Sequence, residues 1–337
     1  MKFGVRFLGN YIGKAQDLIG LAVLSERSGF DSCWFAHDPF MRSSWALIPA
    51  VAVKTERIAI GTNFKPYSVD PSEILTYIVT LDELSGGRAI LGIGSHGVRG
   101  FDSLGLTNDF DLAATTRESA NIIRSMLKGA VGYKGDVFKW GRDCYLRFNP
   151  TRQNIPIYIS GGNEEMFRLS GEIGDGTLPM ATPPRSVEYP LQLVAESAKK
   201  AGRNLDDIER VACVWMSVSK DGAMAEDAMR YVIAYFSPGM KYRPWALKEI
   251  GLTASDFTPI EDLVMKGDYE GAKKLVTDKM MKLAIAGTPD DCIREIEQLQ
   301  KVGVTAISIG GPLGVTPEDG IRLIGSEIIP HFRMNKN

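Results

Sequence analysis

Residues Ile155 to Gly176, IPIYISGGNEEMFRLSGEIGDG, place a Gly-Gly-Asn turn between an apolar run and a helical run. Amides at a helix start lack intrahelical partners, and glycines let an anion approach closely. Gly161, Gly162 and Asn163 therefore read as a seat for the phosphate of a cofactor, although a tight strand-to-helix turn would also explain the glycines. Other residues with chemical potential lie near the ends of apolar runs. Arg6 alternates with Val5 and Phe7 and faces away from them. It reads as the partner of a protein carboxylate or as a grip on substrate oxygens, since a guanidinium binds carboxylates and carbonyls but is no acid at neutral pH. His37 and Asp38 read as a hydrogen-bonded loop pair or as a polar edge that contacts a bound ring or relays a proton, histidine titrating in the useful range. Ser95 and His96 end another apolar run, as a helix cap or as cofactor contacts, and Thr182 adds a hydroxyl to the same cavity.

The elements that must position these residues alternate throughout. Strands are expected at Phe3–Leu8, Asp31–Ala36, Ile58–Thr62, Ala89–Ile93, Ile155–Ile159, near Gly176–Met180, at Val211–Val218 and at Thr305–Ile309. Ala89–Ile93 is an almost unbroken apolar run, as a parallel strand covered on both faces requires. Helices are expected at Lys14–Ser28, around Trp45–Lys54, and over Pro71–Leu84, Thr115–Leu127, Pro289–Lys301 and Pro317–Ile329, with Gly29, Gly86-Gly87 and Gly303 as stops. Eight strands alternating with helices fit a (β/α)8 TIM barrel, an α/β fold whose chemistry gathers at the C-terminal ends of the strands. A plain barrel needs about 250 residues, so the remaining length implies insertions near 95–114, 133–152 and 240–274. Tyr133–Phe148 reads as a β-hairpin. No linker divides the 337 residues, so a single domain over 1–337 is expected.

Composition narrows the function. With 39 basic and 41 acidic residues the net charge is −2, which gives no electrostatic footprint for nucleic acid or an anionic membrane. The four cysteines are scattered without a Cys-x-x-Cys pair, and three histidines without HExxH offer no dedicated zinc site. No apolar run is long enough for a membrane span, and Met1-Lys2-Phe3 enters a strand pattern rather than a signal peptide. A metal-free cytoplasmic protein is expected from composition; a homo-oligomer (dimer or tetramer) is a separate expectation that composition does not carry.

Trp34–Phe40 (WFAHDPF), Thr55–Thr62 (TERIAIGT), TLDELSGGRAILGIG from Thr80 and GEIGDG from Gly171 resemble the bacterial-luciferase-like superfamily over nearly the whole chain. In the C-terminal half, MKGDYEGAKKL from Met265, AGTPDDCIREIEQLQKVGVT from Ala286 and the GGPLG segment are similar to its deazaflavin-dependent methylenetetrahydromethanopterin reductases. The resemblance implies a luciferase-like barrel, coenzyme F420 as cofactor, and hydride transfer between reduced F420 and a one-carbon pterin substrate, in the one-carbon metabolism of methanogenesis. It also implies that Gly161–Asn163 receive the cofactor phosphate. Asn63 and Phe64 would back the central ring, with a non-prolyl cis peptide bond between them. Arg6 stands where those reductases carry a glutamate, and His37-Asp38 where they tend to read Asp-His. An FMN-dependent monooxygenase and a non-catalytic flavin-binding protein remain as alternatives.

Overall fold

The computed structural model describes residues 1–7, 13–38, 40–94, 111–179, 182–242 and 244–334. Eight parallel strands close into a barrel: β1 (Lys2–Phe7), β2 (Ser32–Ala36), β3 (Ala59–Phe64), β4 (Ala89–Gly94), β7 (Ile157–Gly161), β8 (Gly176–Pro179), β9 (Glu209–Val218) and β11 (Ala306–Gly314), the last pairing back onto β1. Every strand expected from the apolar runs is present, and the (β/α)8 architecture stands. Between β4 and β7, β5 (Tyr133–Lys134) and β6 (Lys139–Trp140) form the expected antiparallel hairpin. A three-residue strand, β10 (Ile285–Gly287), has no counterpart in the sequence reading. It pairs with β9 at Met216–Val218, whereas β8 pairs with β9 only at Glu209 and Arg210. β11 also runs past its expected end at Ile309, with a register shift between Gly310 and Leu313, around a proline that cannot donate to the ladder.

Strand alternation divides the side chains into two sets. Phe3, Val5, Cys33, Phe35, Ile60, Leu91, Ile93, Val214 and Ile309 point outward into the main core beneath the helices. Trp34, Tyr158, Leu178, Val211, Cys213 and Ala306 point inward and plug the barrel, with the Trp34 and Tyr158 rings 5.5 Å apart. Gly61 makes room for this plug: a Cβ there would lie 2.2 Å from the Trp34 ring. Local signals set the helix ends. Asp70 accepts from Ser72 N–H at the start of Pro71–Leu84, and Thr288 and Asp291 form a reciprocal capping box at the start of Pro289–Lys301.

The 240–274 insertion is a run of short helices, among them Pro244–Glu249, Thr258–Met265 and Tyr269–Lys274. It packs a second apolar cluster around Met229, Leu247, Phe257 and Met280. Trp215, at the C-terminal end of β9, belongs to this cluster and stacks on Phe236 at 5.2 Å, joining the insertion to the barrel mouth. Most of the 95–114 insertion lies outside the described residues. No described helix is long and apolar enough to cross a membrane.

Candidate active site at the barrel mouth

All eight barrel strands are parallel, so their C-terminal ends share one mouth. Arg6 lies inside it, beside Trp34 and Gly310 in register, and is partly buried. Its guanidinium makes two long contacts, Nη1 to Ser308 O at 3.4 Å and Nη2 to Val214 O at 3.5 Å. Among the described residues no carboxylate pairs with it. Gly310 accommodates the group, since a Cβ there would stand 2.6 Å from Nη2.

Asp38 shares the mouth through Lys65, whose ammonium donates to Oδ1 at 2.7 Å. The Lys65 side chain is 6% exposed, so this pair is largely withdrawn from water. Lys65 escaped the sequence reading, which ended β3 at Thr62. Carrying the alternation Gly61, Asn63, Lys65 past Thr62 places a lysine on the inward parity.

The same extension corrects Phe64. It falls on the outward parity, fully buried among His37, Trp45 and Tyr77, so its side chain does not line the mouth. The expected cis bond between Asn63 and Phe64 is absent as well: β3 stays in register with β4 through Phe64, and the cis peptide among the described residues is Gly311–Pro312. Asn63 keeps the inward position, buried between Ala36 and Gly92 in register.

His37 also turns outward. Trp45 Nε1–H donates to its Nε2 at 3.2 Å, which makes Nε2 the acceptor and leaves Nδ1–H to donate to Ser44 Oγ at 2.8 Å. Burial and then the Lys65 charge lower its pKa, against an opposing effect of Asp38, so the ring is held neutral. With both nitrogens engaged, His37 fastens the end of β2 to the helix Ser44–Ala52. It does not stand beside Asp38 as a proton relay.

Gly161 ends β7, and the helix Glu164–Ile173 starts three residues later. The Asn163 side chain caps that helix, accepting from Met166 N–H at 3.0 Å. The amides of Glu164 and Glu165 remain as the helix-start donors. Trp245, from the insertion, donates to Gly162 O at 2.9 Å and packs edge-on against Phe167. Nothing local in the sequence signals a contact between residues so far apart in the chain. Thr182 is buried just beyond β8, its N–H on Cys213 O at 2.8 Å. Ser95 and His96 lie outside the described residues. Among those described, no group of His, Cys, Asp and Glu gathers to hold a metal ion.

The mouth thus combines two cations, a helix start and glycine-lined walls, and Ser217 and Ser308 carry buried hydroxyls without a partner among the described residues. This donor set suits a flat ligand with carbonyl oxygens and a phosphate.

The luciferase-like monooxygenase family profile matches residues 1–306. The 5,10-methylenetetrahydromethanopterin reductase of Archaeoglobus fulgidus is 36% identical over 340 residues, covering 99% of this chain and all of that protein. The coenzyme F420 dependent tetrahydromethanopterin reductase of Methanopyrus kandleri superposes with a TM-score of 0.90 at 31% identity, covering 98% of this chain and 99% of that one. An F420-dependent secondary alcohol dehydrogenase shares the fold, with a TM-score of 0.76 at 22% identity. The chain belongs to the luciferase-like family and is homologous along its whole length to methylenetetrahydromethanopterin reductases.

Proposed function

We propose that this protein is a coenzyme F420-dependent oxidoreductase of the methylenetetrahydromethanopterin reductase type, passing hydride between reduced F420 and a one-carbon pterin. The observation that carries the reading is the end-to-end match, 36% identity with the Archaeoglobus reductase and a TM-score of 0.90 to the Methanopyrus one, with no large segment unmatched. When bound, the deazaflavin supplies the hydride; the chain supplies orientation and a pocket poor in water. The amides of the Gly161–Asn163 turn and the first turn of the helix at Glu164 would hold the phosphate. Asn63 and Thr182 would line the ring cavity, and Ser95 and His96 belong to the same proposal. Asp38, held by Lys65, and Arg6 would present one negative and one positive group to the reacting pair. The proposal extends to one 337-residue domain, a cytoplasmic location and a homo-oligomer (dimer or tetramer).

Fluorescence titration of the purified protein with F420 and with FMN tests the cofactor. F420 is expected to bind at least about tenfold more tightly, a difference of about 1.4 kcal/mol. Stoichiometric FMN retained through purification, with no F420 binding, would overturn the reading in favour of an FMN-dependent monooxygenase.

A further inference from the structure

The guanidinium of Arg6 is partly buried inside the barrel, and among the described residues most of its donors have no partner. A guanidinium has five N–H donors. Two of them reach carbonyl oxygens, at the 3.4 and 3.5 Å limit of hydrogen bonding, and both oxygens belong to barrel strands. No carboxylate among the described residues neutralises the charge. Gly310 would have to move it if it carried a Cβ, so the wall is shaped to leave the group where it is. A charge partly withdrawn from water and left unpaired weakens the fold. It is retained without loss when something other than the protein supplies the acceptor.

The topology indicates which bound molecule supplies it. Around the closed barrel the order is β1-β2-β3-β4-β7-β8-β9-β11, so β1 stands opposite β7. A cofactor whose phosphate sits at the end of β7 enters from the wall facing Arg6. The space above Trp34 against β1 and β11 is left to the second reactant. We propose that Arg6 is a specificity-determining residue. Its guanidinium receives a carbonyl or carboxylate oxygen of the hydride acceptor, and the site thereby disfavours an acceptor bearing positive charge at that end. The assignment to the hydride acceptor rests on the function proposed above; the need for an oxygen acceptor at Arg6 does not.

The test compares the wild type with Arg6→Met, of similar length without charge, and Arg6→Lys, which keeps the charge but loses the fork. In the ligand-free protein, Arg6→Met is expected to raise the unfolding temperature. A fall of several degrees would show that the guanidinium holds the barrel together and would overturn the proposal. Benzoate, as a flat carboxylate probe, is expected to stabilise the ligand-free wild type and to leave Arg6→Met unmoved; equal response of both would also overturn it. With cofactor and pterin, kcat/KM of Arg6→Met is expected to fall about a hundredfold with partial recovery in Arg6→Lys, while the Kd for F420 changes less than about twofold. A matching loss of F420 affinity would give the oxygen to the cofactor and sink the assignment to the acceptor. If the wild type neither binds F420 nor turns over pterin, the proposed function fails, and the melting and benzoate measurements still decide the role of Arg6.

Discussion

The two ends of the barrel treat arginine differently. At the N-terminal end, Arg88 of the LSGGR segment directs all five donors onto Ser85 O, Thr55 Oγ1, Ile58 O, Ala52 O and Thr55 O, at 2.7 to 3.0 Å. Arg203 binds the carbonyls of Gly171 and Gly174, and Arg210 those of Gly303 and Leu205, at 2.7 to 2.8 Å. Arg152 grips the buried carboxylate of Asp82 through Nε at 3.0 Å. At the mouth, Arg6 has two contacts at 3.4 Å or longer. One residue type thus serves as a clasp where its donors are filled and as a receptor where they are not. The same criterion disposes of a cavity of about 480 Å3 at the N-terminal end, lined by Lys2, Tyr158, Asp175 and Glu209. Lys2 is paired with Glu209, the Tyr158 hydroxyl donates to Glu209, and Arg124 binds Asp175, so size there does not mark an open site.

The contrast can be broken most severely at the clasp end. Arg88→Ala leaves four backbone carbonyls without a donor and should cost about 3 kcal/mol of stability or more, charged hydrogen bonds being worth about 1.5–3 kcal/mol each. Urea unfolding would measure the loss, with F420 affinity unchanged in the protein that remains folded. A neutral result would remove the distinction between filled and unfilled arginines. Next in size is Lys65→Met, which removes the ammonium from the partly buried Asp38 carboxylate. A loss of about 2 kcal/mol is expected, by analogy with broken buried pairs, together with reduced turnover. If Lys65→Met retains full turnover and stability, the pair is ornamental to the mouth.

Much of this plan was legible in the chain. The barrel strands are apolar runs, and the helices Pro71–Leu84 and Pro289–Lys301 can be bounded to the residue by Asp70, Thr288 and the glycines that follow. The site was less legible because facing depends on parity. Ending β3 at Thr62 leaves the facing of Asn63, Phe64 and Lys65 unread, and the Asp38 position cannot reveal that its neighbour His37 faces Trp45. Contacts between distant segments, such as Trp245 with Gly162, leave no local trace, and a strand as short as Ile285–Gly287 has too few residues to show a period.

A smaller effect sharpens the phosphate end of the site. Gly161→Val should raise the Kd for F420 about tenfold, or about 1.4 kcal/mol, and alter the affinity of a phosphate-free riboflavin-like fragment much less. Equal losses for both ligands would move the phosphate elsewhere. The smallest expected effect comes from His37. Its pKa is lowered in the folded state, so from the unfolded value of about 6.5 downward the unfolded chain binds the proton more readily. Stability should therefore fall as the pH drops from about 6.5 toward the lower folded pKa. His37→Gln should flatten that part of the profile; an unchanged slope would mean that the ring accepts its proton without cost.

Isotope transfer follows the hydride itself from F420 to the pterin. Reduced F420 carrying deuterium at C5 would be incubated with the protein and methylenetetrahydromethanopterin, and the pterin product analysed by mass spectrometry. One deuterium is expected in the new methyl group, at a rate that depends on the protein and drops in Arg6→Met. Unlabelled product, or cofactor oxidation that proceeds only with oxygen and without the pterin, would contradict it.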